Sequence, residues 1–196
     1  MIQVRPSRCV TTLVAACVLC TAATAQADDA IKKPLETLVK SVRYSKDDRA
    51  LKQLDGEAQG KILLADDWDK ATPDQRNQFV SYFHQLFAVL AFPKIRESLQ
   101  YLGTTLYEEP TITGDKAQIV STLAIDHPLK KQELKVKYDL HRTKEGWKVV
   151  DLLVLGVGGD SMLTGIRNDQ IIPNMKDGLP KLLELMQQRL QQVQKK

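Results

Sequence analysis

After Cys20 the chain contains no cysteine. Everything beyond that point therefore lacks a disulfide, a thiol nucleophile and a thiolate metal ligand. Histidine is scarce, with His84, His127 and His141 far apart and no second His four residues from His84, so the spacing of a zinc site is missing. No serine stands in a Gly-x-Ser-x-Gly setting, which leaves out the nucleophile elbow of a hydrolase. Charge of one sign is not in excess either. The 28 Lys+Arg are set against 24 Asp+Glu, which is not the footprint of a nucleic-acid binder. Beyond residue 27 no apolar run approaches the roughly 18–20 residues that a membrane helix needs.

What is present begins with an address. Arg5 and Arg8 precede an apolar run from Cys9 to Cys20, and Ala25-Gln26-Ala27 fits the small-x-small cleavage rule. These features predict a secretory signal peptide over residues 1–27 and a single exported domain over 28–196, delivered to a periplasm. Val14-Ala15-Ala16-Cys17 loosely resembles a lipoprotein box, but apolar residues continue past it. Without the two leader arginines, 26 basic side chains face 24 acidic ones.

The front half is patterned for helices. Pro34 suits a helix N1, with Leu35, Leu38, Val39 and Val42 at helical spacing. A second helix starts near Ser45 and a third covers about Gln59 to Trp68. The strongest starts at Thr72, with Pro73 at N1 and Gln75 completing a capping box. Its apolar face is Phe79, Tyr82, Phe83, Leu86, Phe87 and Leu90, and Pro93 ends or kinks it.

After Gly103 the period shortens to two. Thr105 to Glu109, Ala117 to Ile125, Glu133 to Leu140 and Trp147 to Leu155 read as four strands. Their joins are too short for crossover helices, so the strands are antiparallel. Asp160 is expected to cap a helix to about Ile171, Pro173 to interrupt it, and Leu179 to Val193 to form a last amphipathic helix. Helices, then an antiparallel sheet, then helices make this an α+β chain.

Gly156-Val157-Gly158-Gly159 follows the last strand and invites comparison with a nucleotide-binding loop. Ser161 stands where a dinucleotide fingerprint needs its third glycine, and no Gly-Lys-Ser/Thr follows. The glycines are better read as letting the chain leave the strand sharply and the next helix approach the sheet closely.

Three segments, Trp68 to Phe83 (WDKATPDQRNQFVSYF), Lys135 to Leu140 (KVKYDL) and Trp147 to Gly158 (WKVVDLLVLGVG) followed by Arg167, together resemble the MlaC family of periplasmic phospholipid shuttles, also called toluene-tolerance proteins. Gly158 stands where that family commonly has Ser. The resemblance implies a strongly curved four-stranded sheet with helices from both chain ends packed on it, enclosing an apolar pocket for acyl chains. It implies a monomeric, ATP-independent carrier without cofactor or metal. Such a carrier exchanges phospholipid with an outer-membrane lipoprotein complex and an inner-membrane transporter of the ABC type, maintaining outer-membrane lipid asymmetry.

For that role the candidate lining residues are Phe83, Phe87 and Leu90 on the main helix, and Leu123, Val136, Tyr138, Val150, Leu152 and Val154 on the sheet. Met162 and Ile166 close one wall. Each of these also suits an ordinary filled core. Asp151 interrupts an apolar strand in phase with Trp147 and Val149, and a lone buried carboxylate needs a partner. Arg167 is the candidate partner, with Trp147, Asp151, Gly156 and Arg167 forming a structural or mouth group. Asp66, Asp67 and Asp69 lack calcium-loop spacing and read as a solvated loop. No acid, base and nucleophile stand out as an enzyme's set. Two other readings stay open: an envelope interaction module with a filled core, and a carrier of another apolar ligand such as a hopanoid or a quinone.

Overall fold

Residues 18–195 are described by a computed structural model, in which helices flank an uninterrupted block of strands. The helices α1 (Val18–Arg43), α2 (Asp47–Leu51), α3 (Gly56–Leu64), α4 (Asp66–Lys70), α5 (Pro73–Leu90) and α6 (Phe92–Leu99) come first. The strands β1 (Leu102–Tyr107), β2 (Thr111–Thr113), β3 (Lys116–His127), β4 (Lys130–Thr143) and β5 (Gly146–Val154) follow. The chain then passes through α7 (Met162–Ile166), a π turn (Arg167–Ile171), α8 (Ile172–Asn174) and α9 (Gly178–Gln194). Residues 1–17 of the expected leader lie outside the described residues.

The sheet is antiparallel throughout, in the order β1-β3-β4-β5, with the short β2 also pairing to β3. The four expected strands are all present. The fifth, β2, is only three residues long and fully exposed, so it carries no alternation to detect. Thr113 pairs with Lys116, His127 with Lys130, and Thr143 with Gly146, so two-residue turns join β2 to β3, β3 to β4 and β4 to β5. Burial alternates along β3, with Ala117, Ile119, Ser121, Leu123 and Ile125 facing inward. Val136, Tyr138 and Leu140 do the same on β4.

Two apolar clusters fill the molecule. One joins the inner sheet face to Ile31, Leu35, Leu38 and Val42 of α1 and to Phe92 and Leu99 of α6. The other is helical. It joins Leu63, Leu64 and Trp68 to Phe79 and Phe83 of α5, Leu163 of α7, and Leu182, Leu183 and Met186 of α9.

Local chemistry explains most boundaries. Thr72 accepts the N–H of Gln75, and Gln75 accepts the N–H of Thr72, so α5 begins on a complete capping box. Four expectations are corrected. Pro34 does not start a helix. It is buried inside α1, because nothing between Val18 and Lys33 stops helical winding. The single helix expected from Gln59 to Trp68 is two, broken at Ala65, whose φ of 48° is left-handed. Ser161, not Asp160, caps α7 by accepting the N–H of Thr164 at 3.3 Å. The tail is interrupted at Met175 to Asp177, where α8 has ended, and not at Pro173 itself. Pro173 falls in the first turn of α8, where a missing N–H costs little.

The break at Ala65 brings Trp68 back against α3. Trp68 is 4% exposed, and a side chain at Gly60 would run into its indole ring. Arg76 also holds Trp68, with its guanidinium over the ring and its Nε donating to the Trp68 carbonyl at 2.8 Å. Gly60→Ala is therefore expected to lower unfolding stability by about 1–3 kcal/mol through overpacking. A chemical denaturation series with Gly114→Ala alongside would separate this from strain. A Cβ at Gly114 meets nothing, so that variant reports only its positive φ.

Candidate functional site

The strand β5 must supply side chains to both apolar clusters, and it does so through a bulge. Leu140 pairs with Val149 and Asp139 with Asp151, leaving Val150 as an extra residue. Val149 and Leu152 accordingly join the sheet cluster, whereas Val150 joins the helical one. The expectation that Val150, Leu152 and Val154 share one face, and that Asp151 is in phase with Val149, is thus corrected. The extra residue shifts the alternation.

The bulge also settles the partner of Asp151. Its carboxylate is 7% exposed, and Oδ1 accepts the N–H of Leu152 at 2.8 Å and of Leu163 at 3.0 Å. Leu163 is the second residue of α7, so Asp151 reaches from the strand to satisfy a helix-end donor, while Ser161 satisfies the next one. Arg167 begins the π turn, half-buried, and takes part in none of the ion pairs among the described residues. The expected Asp151–Arg167 pair is therefore replaced by backbone capping. The glycines between β5 and α7 act through their backbone alone. Gly156, Gly158 and Gly159 have φ of 81°, 74° and 110°, and a Cβ on any of them would meet nothing within 4 Å. The close approach expected at the glycines does not occur there, and α7 meets the strand instead through Asp151.

A buried polar chain pins the helices to β5 beside the bulge. Gln59, 1% exposed, donates from Nε2 to the Val150 carbonyl at 3.0 Å and accepts from His84 Nε2 at 2.8 Å. Since the Gln59 oxygen is the acceptor, His84 carries its proton on Nε2. Burial lowers the His84 pKa from 6.5, opposed by the nearby Asp55 carboxylate. Asp55 caps α3 at the Ala58 N–H and holds His141 Nδ1 at 2.7 Å. Its own N–H bonds to the Val149 carbonyl, while Val149 donates to Gln53, so residues 53–55 cover the edge of β5.

The two clusters meet at Phe87, which packs against both. All four phenylalanines of the chain form one ladder there, with centroid separations of 6.3 Å from Phe79 to Phe83, 5.9 Å to Phe87 and 5.3 Å to Phe92. The expected lining residues divide along this seam. Leu123, Val136 and Tyr138 are buried in the sheet cluster beneath α1, with Leu152 and Trp147 packed against it. Phe83 and Val150 are buried in the helical cluster, flanked by Met162 and Ile166. Val154 is half-buried, inward on β5. Leu90 is 41% exposed at the end of α5 and lies off the seam.

A groove of about 1480 Å³ opens elsewhere, between residues 52–62 and the ends of β2, β3 and β4. Its border includes Lys52, Asp55, Lys61, Lys116, Asp139 and His141, and of the expected lining residues only Val150 touches it. The Asp66, Asp67 and Asp69 group occupies the first turn of α4, with Asp67 paired to Lys70 at 3.0 Å. Among the described residues no helix is long and apolar enough to cross a membrane.

With this geometry in hand, the chain can be set beside known proteins. The family model described as MlaC protein matches residues 22–188. A solved structure of the phospholipid-binding protein from Ralstonia solanacearum, in complex with a phospholipid, superposes with a TM-score of 0.65. The two are 17% identical, and the match covers 85% of this chain and 98% of that one. A search of the curated proteins finds no match.

Two outcomes follow from the polar contacts. Asp151→Ala strands the buried Leu163 N–H and is expected to cost about 1–3 kcal/mol in a denaturant melt. Arg167→Ala is expected to stay within about 0.5 kcal/mol of the parent. Comparable losses for both would restore the pair. His84 has a folded pKa below its unfolded value of 6.5, so the native state binds fewer protons. Its contribution to stability is fully present above 6.5 and is lost as pH falls from there toward the depressed folded value. Stability measured across that window should fall more steeply in the parent than in His84→Gln.

Proposed function

The chain belongs to the MlaC family, and from that membership we propose that it is a soluble periplasmic phospholipid carrier rather than an enzyme. In this reading it takes a phospholipid's acyl chains out of one membrane complex and releases them to another. One partner is an outer-membrane lipoprotein complex and the other an inner-membrane transporter of the ABC type. The observation that carries the reading is the family match over residues 22–188, which includes every residue of both clusters that meet at Phe87.

The task is one of solvation. Each methylene moved out of an apolar setting into water costs ~0.8 kcal/mol, so a chain of about fifteen opposes crossing by roughly 12 kcal/mol. A carrier must offer an apolar surface that replaces the membrane, with no covalent step. Leu123, Val136, Tyr138 and Leu152 on the sheet, Phe83 and Phe87 on α5, and Met162 and Ile166 after β5 supply such a surface from two sides of one seam. Methionine suits a wall that accepts varied chains. Opening the seam substitutes acyl contacts for contacts between the clusters, so bound and closed states need not differ greatly in buried area.

A second reading has its own support. Leu123, Val136 and Tyr138 are only 4–5% exposed, as a permanently filled core requires. Native mass spectrometry of protein purified gently from a periplasm, followed by lipid extraction, distinguishes the two. The carrier reading expects about one phospholipid-mass adduct per chain, diminished in a folded Val136→Trp variant. A chain without lipid that also fails to extract lipid from liposomes would favour the filled-core module. An adduct of another lipid class would change the cargo and keep the carrier role.

A further inference from the structure

The inner face of the sheet is apolar except at its centre. Ser121 on β3 is 0% exposed, although its inward neighbours along the strand are Ile119, Leu123 and Ile125. Tyr107 of β1 pairs with Ser121, and Ser121 pairs with Val136. Tyr138, the next inward residue of β4, is 4% exposed and places its hydroxyl 3.5 Å from the Ser121 hydroxyl. Three hydroxyl-bearing side chains from three adjacent strands thus share one face.

Ser121 donates to the Tyr138 oxygen, so each of the two has this one partner, and the Tyr138 O–H proton is left to donate elsewhere. An O–H···O hydrogen bond normally lies near 2.7–2.8 Å, so the Ser121–Tyr138 contact is at the far limit of one. Each hydroxyl offers one donor and two acceptor positions. Placing them among aliphatic side chains is costly unless that capacity is met. Burial raises the pKa of both tyrosines, and Tyr138 and Glu36 raise that of Tyr107 further, so both phenols remain protonated donors.

The chemistry of the surroundings narrows the ligand group. Among the described residues no lysine or arginine is buried, and the charged side chain that acts on Tyr107 is the Glu36 carboxylate of α1. That setting repels a phosphate and suits a neutral acceptor bound at the junction of polar and apolar matter. Tyr107 is half-buried on β1, at one end of the strand order. The hydrogen bonds that tie α1 to α6 and β1 gather at its C-terminal end. There Arg43 donates to the carbonyls of Leu102 and Gln100, and Arg96 to that of Val42. Reaching the hydroxyls requires lifting the part of α1 that carries Ile31 and Leu35, both 0% exposed within the sheet cluster, about that anchor.

We propose that Tyr138, with Ser121 and Tyr107, forms a hydrogen-bonding subsite for the ester carbonyl of a glycerolipid, so that the chain selects ester-linked over ether-linked lipid. This rests on the carrier reading above and adds a specificity to it. The test is a pair of phosphatidylglycerols with matched chain lengths, one diester and one diether, each presented in vesicles to the parent, Tyr138→Phe and Ser121→Ala. The parent should bind the diester about three- to tenfold more tightly, as one or two net hydrogen bonds allow. Tyr138→Phe should abolish most of that preference and leave diether binding unchanged, with Ser121→Ala acting in the same direction. Equal binding of both lipids by the parent overturns the subsite while leaving the carrier intact. Equal loss of both lipids in Tyr138→Phe makes the tyrosine merely structural and also overturns it. Binding of neither lipid by the parent overturns the carrier reading itself.

Discussion

A strand has two faces, and β5 has to serve two apolar clusters that both need its middle. The bulge at Val150 meets that constraint by inserting one residue into the alternation, so that Val149 and Leu152 go one way and Val150 the other. Much else is arranged around it. Asp151 caps α7 from the bulge, Gln59 bonds to the Val150 carbonyl, and residues 53–55 seal the strand's edge at Val149. Polar groups at the bulge are thus not misplaced in an apolar strand. They satisfy the backbone donors and acceptors that an irregular ladder leaves open.

The two clusters would be separate cores without α5. Its phenylalanines, spaced four or five residues apart along one helix and its continuation, carry contact from Phe79 in the helical cluster to Phe92 in the sheet cluster. A seam between two clusters is easier to open than the middle of one. Parting it breaks the contacts that Phe87 makes with both clusters. The sheet side offers aliphatic side chains and three hydroxyls, and the helical side offers aromatic rings and methionine.

Much of this was legible in the residues. The capping box at Thr72, the alternation of Leu134 through Leu140 and the short turns at Gly114 and Gly146 are local signals, each decided by neighbours in sequence. They identify an α+β chain with an antiparallel meander. The resemblance carried by Trp68 to Phe83, Lys135 to Leu140 and Trp147 to Gly158 agrees with the family match over residues 22–188. Trp68 has a local reason to stand there, since it packs on Gly60 beneath Arg76. Leu90 was misjudged because helical spacing places it on the apolar face, whereas α5 ends there and α6 turns away.

The sequence by itself determined element types, strand direction and the inward face of β3 and β4, because hydrogen-bond geometry and side-chain period are set within a few residues. Only the tertiary structure decided where β5 changes phase, that Asp151 answers the N–H of Leu163 instead of Arg167, and that Ser121, Tyr107 and Tyr138 share one face. Those outcomes depend on groups a dozen or more residues apart. Which strand residue is extra, and which distant donor a carboxylate meets, is settled only when separate elements pack and each buried polar group must find a partner.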